Sequence, residues 1–145
     1  MMSFMRGKVF IDTNFLIYLF SEDDQIKKVH CTQLIDSLRD KVVLVWSTQV
    51  MQEFYRVMTV KHHIPPQVVK DILQLFDDFE LVINNKETIN TAIDIQTVNK
   101  ISFWDSLVIS AASQAKCTTI LTEDLNSGQL IQGVYLQDPF KLDSQ

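Results

Sequence analysis

The chain has 145 residues, 46% hydrophobic and 21% charged, with three Gly, three Pro and a formal net charge of −5. That length suits one domain, residues 1–145, with a core of its own, and the composition is that of a folded rather than a disordered chain. No apolar run nears the roughly 18 residues that cross a bilayer, and the acidic balance disfavours wrapping of duplex DNA through many phosphate contacts.

Lys8, Asp12 and Asn14 interrupt the apolar start, and no small-residue cleavage site follows, so it reads as strand and helix rather than a signal peptide. Residues 8–11 (KVFI) form a short strand; a helix then runs from Thr13 to Phe20 with Asp12 as N-cap. Residues 23–38 read as a helix with Ile26, Val29, Leu34, Ile35 and Leu38 near helical spacing. Residues 42–46 (VVLVW) make a buried strand by their β-branched content, and Ser47 caps a helix to about Lys61. The pair Pro65 and Pro66 starts a helix reaching about Phe79. A third strand covers 81–83, a helix runs from Lys86 to about Asn99, and Ser102 caps the next one. That last helix carries the stripe Trp104, Leu107, Val108, Ala111, Ala112 and Ala115. Strands at 118–121 and 134–136 complete the set, and Met51, Met58, Trp46 and Trp104 read as core. Cys31 and Cys117, far apart and outside any CxxC pattern, read as reduced, half-buried thiols of a cytoplasmic protein.

Strands alternating with helices predict a three-layer α/β/α sandwich around a parallel sheet. Ligands of such folds bind beyond the carboxyl ends of the strands, where strand order switches. Asp12 and Asp124 follow strands at that edge; Glu53 and Asp105 lie near the starts of helices, which open at the same edge because helices run antiparallel to the strands. Each acid alone has an ordinary explanation. Asp12 is an N-cap, Glu53 a flank of a helix, Asp124 a turn residue, and Asp105 completes an S-x-x-D capping box with Ser102. Together they converge on one rim. Four carboxylates there raise one another's pKa values, and Mg²⁺ or Mn²⁺, hard cations that take oxygen ligands and keep waters, resolves the repulsion. Asn14 and Thr122 stand beside the acids and suit holding them in place, while Arg56 and Lys61 suit either contact with substrate phosphates or a solvated face with cations at a helix C-terminus.

Residues 10–18 (FIDTNFLIY), Glu53, residues 103–108 (FWDSLV) and the turn 121–125 (LTEDL) resemble the PIN-domain family. Within it, the chain is similar to the VapC-like ribonuclease toxins, and the segments 124–129 (DLNSGQ), 133–136 (GVYL) and 138–140 (DPF) resemble one branch of them. The resemblance implies a five-stranded parallel sheet and Mg²⁺- or Mn²⁺-dependent endonucleolytic cleavage of RNA. It further implies a homodimer and inhibition by a small antitoxin encoded alongside. Carried over, Asp12, Glu53, Asp105 and Asp124 match the acidic quartet, and Asn14 and Thr122 the polar positions beside it; Glu123, next to Asp124, is placed outside the site. The alternatives within the family are an RNA-processing nuclease and an inactive binding module. A receiver-type phosphoacceptor domain would need an aspartate where the third strand ends in Asn84 and Asn85, and a dehalogenase-like phosphatase would need Asp where Asn14 stands.

Overall fold

A computed structural model describes residues 5–125 and 127–142; Asn126 of the 124–129 segment lies outside them. In chain order the elements are β1 (Lys8–Ile11), α1 (Thr13–Phe20), α2 (Gln25–Arg39), β2 (Val43–Ser47), α3 (Thr48–Arg56), α4 (Pro66–Gln74) and β3 (Glu80–Val82). Then come α5 (Lys86–Asn99), α6 (Phe103–Gln114), β4 (Thr119–Leu121), β5 (Leu130–Ile131) and β6 (Val134–Gln137). The sheet order is β3-β2-β1-β4-β6-β5. Every pairing is parallel except β5 with β6.

Successive side chains of a strand face opposite sides. Val9, Phe10 and Ile11 are all fully buried, so both faces of β1 are covered, as a parallel sheet requires. On one side α6 lies against β2, β3, β4 and β6 and carries α5; the group α1–α4, joined through α1 and α3, reaches the sheet at β2. This is the expected sandwich.

The structure adds one strand to the five expected. Gln132 and Gly133 both take positive φ (52° and 79°), the conformation of a two-residue turn that matches strand twist, and Leu130 and Ile131 fold back antiparallel on Tyr135 and Val134. Other boundaries also move. The helix after β2 changes at Val57–Lys61 into a π-helical stretch, with His62 N–H donating to the Val57 carbonyl at 3.2 Å. The helix after Pro66 stops at Gln74, because tight turns over the next residues swing Phe76 and Phe79 onto Trp46, with ring centroids 5.5 and 5.7 Å away. Ile26 and Val29 are exposed rather than core: the core face of α2 is carried by Cys31, Leu34, Ile35 and Leu38. Trp104 is exposed as well, since α6 buries its face only from Ser106 onward. Both cysteines are free and buried, and burial pushes each thiol up to about 12. Among the described residues no helix is long and apolar enough to cross a membrane.

The chain builds β1, β2 and β3 outward in one direction, then returns to place β4 on the other flank of β1. The switch in strand order therefore lies between β1 and β4. The crevice beyond their carboxyl ends is where the acids lie.

Candidate active site

Asp12 follows the last residue of β1 and caps α1, its Oδ1 accepting the Thr13 N–H at 2.7 Å. Its Oδ2 accepts from the Thr122 hydroxyl, just past β4, at 2.9 Å. Only 9% exposed, the carboxyl is raised to about 6, chiefly by burial; the two hydrogen bonds oppose the rise, and the charges of Asp124 and Glu53 add to it. Glu53 projects from the second turn of α3, where its Oε1 accepts from the Thr13 hydroxyl at 2.9 Å. Asp124 sits on the turn after β4; its Oδ2 accepts from the Asn14 amide at 2.8 Å, and its N–H donates to the Thr122 hydroxyl at 3.2 Å. Burial, then the charges of Glu123 and Asp105, hold its carboxyl above the usual range. Asp105 lies in the first turn of α6, its backbone N–H donating to the Ser102 hydroxyl at 3.0 Å.

All four acids line one pocket of ≈ 220 Å³, together with Thr13, Asn14, Gln49, Arg56 and Trp104. Thr122 braces Asp12 from behind. Arg56 is the one basic side chain among the described lining residues; Lys61 lies instead in the adjoining groove beside Tyr18, Asp23 and His62. Glu123 turns away. It accepts from Lys27 at 2.9 Å and from the Tyr18 hydroxyl. Two residues that the sequence reading does not single out, Thr13 and Gln49, also enter the pocket. Their signals are local: Thr13 stands between Asp12 and Asn14, and Gln49 is one helical turn before Glu53, on the same face.

The pocket is electrostatically divided against itself. Three helices, α1, α3 and α6, open at this edge with side-chain caps at Asp12, Ser47 and Ser102, and the positive ends of their dipoles favour anions. They offset part of the repulsion, yet Asp12 and Asp124 remain harder to ionise than free aspartates. Among the described residues no three acids, histidines or cysteines stand close enough to ligate one ion without moving. Both oxygens of Asp12 and one each of Glu53 and Asp124 accept hydrogen bonds from Thr13, Thr122 and Asn14. The donors are nonetheless all oxygen. Such a set fits a hard divalent cation that needs one or two direct carboxylates and keeps its waters.

The PIN-domain family model matches residues 9–129. No curated protein matches the sequence. Among solved structures the chain is similar to VapC20 of Mycobacterium tuberculosis, a toxin that cleaves the sarcin–ricin loop, with 16% identity and a TM-score of 0.67 over 80% of this chain and 91% of that one. It is similar to VapBC2 of Rickettsia felis, solved with a DNA fragment from its promoter, with 16% identity and a TM-score of 0.67 over 90% and 97%. A toxin–antitoxin complex from Klebsiella pneumoniae gives 16% and 0.68 over 92% and 99%. At that identity the likeness establishes the fold.

Proposed function

The chain belongs to the PIN-domain family, and from that premise we propose that it is a Mg²⁺- or Mn²⁺-dependent endoribonuclease acting on single-stranded RNA, the toxin of a toxin–antitoxin pair. The observation that carries this reading is the acid-lined pocket at the strand switch, where a buried Asp12 with a raised pKa faces further carboxylates and one arginine. A structural role does not account for that concentration of like charge.

Asp12, Glu53, Asp105 and Asp124 would hold the cation, one or two of them directly and the others through its retained waters. When bound, it supplies charge to polarise a phosphodiester and to lower the pKa of an attacking water. The chain's own residues prepare the site. Thr13 and Thr122 fix Glu53 and Asp12 by hydroxyl donation, and Asn14 fixes Asp124, so three acids are oriented by neutral groups that add no competing charge. Arg56 offers its guanidinium to a phosphate entering the pocket. The toxin assignment is supported by the toxins among the similar structures. The net charge of −5 suits an antitoxin segment presenting Arg or Lys. The protein acts in the cytoplasm as a homodimer, and its thiols stay reduced.

Purified protein with Mn²⁺ should cut single-stranded RNA to 5′-phosphate and 3′-hydroxyl ends, and EDTA should stop it. Undiminished cleavage in excess chelator, or cyclic-phosphate ends, would overturn the metal mechanism. Light scattering should give a dimer at micromolar concentration, and the small protein encoded alongside should co-purify and suppress cleavage. A monomer, or a neighbour that neither binds nor inhibits, would remove the dimer or the antitoxin from the reading.

A further inference from the structure

At ≈ 220 Å³ the pocket is smaller than the roughly 300–1,000 Å³ clefts that engulf a drug-sized ligand. It has room for a phosphate and its counter-charge. The base attached to that phosphate has to lie on the rim. Among the described residues lining the pocket Trp104 is the one aromatic, and it is 62% exposed, an unusual setting for a side chain that is mostly buried on average.

Trp104 is held there rather than loose. It stands in the first turn of α6, immediately before Asp105, with Phe103 edge-on behind it at 5.3 Å between centroids. Its carbonyl accepts from the Gln49 amide at 3.2 Å, which ties α6 to the first turn of α3. Gln49 is itself 5% exposed, and its Oε1 has no hydrogen-bond partner among the described residues. An apolar side chain would avoid that unpaired acceptor; what the amide supplies is the tether. Arg56 lines the α3 side of the same pocket and makes no ion pair among the described residues.

We propose that Trp104 is a stacking platform for one unpaired base beside the cleaved phosphate, so that the pocket reads a splayed single strand and rejects a duplex. The proposal rests on the nuclease reading above. Stacking on an aromatic face is open to every base because each has a π-face, whereas a base in a duplex must first be unpaired and unstacked, at a cost in free energy, before it can lie on Trp104. Selection is therefore for strandedness first and for base identity weakly.

The test measures cleavage of a short single-stranded RNA with Mn²⁺ by the parent, Trp104→Phe and Trp104→Ala, alongside acrylamide quenching of tryptophan fluorescence. Trp104→Ala should lower kcat/KM about 5- to 150-fold, the range that loss of one base stack supports, with unchanged far-UV circular dichroism. Trp104→Phe should recover most of the loss. One abasic position beside the cut should slow the parent by a similar factor and leave Trp104→Ala indifferent. Trp46 is buried, so quenching in the free protein reports Trp104, and oligonucleotide should shield it. Cleavage by Trp104→Ala equal to the parent overturns the platform and leaves the nuclease standing. Quenching that is blocked without nucleic acid and returns on dilution also overturns it, because a second protein copy then covers Trp104. If neither the parent nor any variant cuts RNA, the nuclease reading itself fails.

Discussion

Glu123 and Asp124 leave the end of β4 in different directions. Glu123 accepts from Lys27 and the Tyr18 hydroxyl, and the Lys27 ammonium lies 4.9 Å from the ring centroids of both Tyr18 and Phe140. The region behind the turn is thus an acid matched by a cation and packed between rings. Asp124 faces a pocket where the other acids gather, its carboxylate accepting from a neutral amide, Asn14, and its pKa held up by burial and by two like charges. Adjacent residues, opposite electrostatics. A matched acid belongs to the scaffold; unmatched acids weaken the fold and are explained by what they bind.

That contrast is broken or sharpened most strongly at Asp12. Asp12→Asn keeps a side chain able to cap α1 and should lower RNA cleavage about 10³-fold, the scale of removing a group that acts in the transition state. Stability should move the other way. Because the folded-state pKa of about 6 lies above the ordinary 3.8, the folded protein holds the proton more tightly. Its contribution is fully present below pH 4 and is lost as pH rises through 6. In EDTA the variant should therefore gain on the parent between those limits, by about 3 kcal/mol at pH 7. Urea melts at pH 4 and pH 7 measure it. A gap that does not change with pH would mean that Asp12 carries no penalty.

A smaller effect is expected at the matched pair. Lys27→Met keeps the packing between Tyr18 and Phe140 but strands Glu123, and should cost about 1 kcal/mol, as a partly exposed ion pair does. With its anchor gone, the turn bearing Asp124 should loosen, and the Mn²⁺ concentration for half-maximal cleavage should rise about 10-fold, the lower end for groups that orient ligands. Glu123→Gln should behave alike. Should it instead abolish cleavage while stabilising the metal-free protein, Glu123 would join the pocket acids and the contrast would collapse.

Much of this was legible in the chain because it is local. Asp12, Ser47 and Ser102 are capping residues in front of apolar periodicity, and each caps its helix in the fold. The alternation of strands and helices brought four distant acids to one edge by topology alone. What escaped depends on tertiary detail. Trp104 fits the apolar stripe of α6 by spacing, yet burial on that helix begins two residues later, where the sheet starts to cover it. Ile26 and Val29 obey helical spacing on a turn of α2 that stays exposed among the described residues. The β5 strand is two residues long and owes its pairing to positive φ at Gln132, a residue with no special preference for it.

The smallest expected effect separates the two residues of one cap. Ser102 and Asp105 have the spacing of a capping box, which assigns both to the scaffold. In the structure the cap bond runs from the Asp105 backbone N–H to the Ser102 hydroxyl, which needs no Asp105 carboxylate, and that side chain lines the pocket instead. Ser102→Ala removes the acceptor and should cost about 1 kcal/mol, while cleavage per folded molecule stays at the parent's level. Asp105→Asn retains the backbone donor, so its folding cost is confined to the dipole interaction, about 0.3–1 kcal/mol, and relief of repulsion on Asp124 offsets it. Metal-free melts of the two variants should therefore rank Ser102→Ala below Asp105→Asn, and the Mn²⁺-induced rise in Tm should rank them in reverse, since that rise tracks affinity for the ion. If both variants keep the rise, Asp105 is a capping residue only and the site rests on Asp12, Glu53 and Asp124.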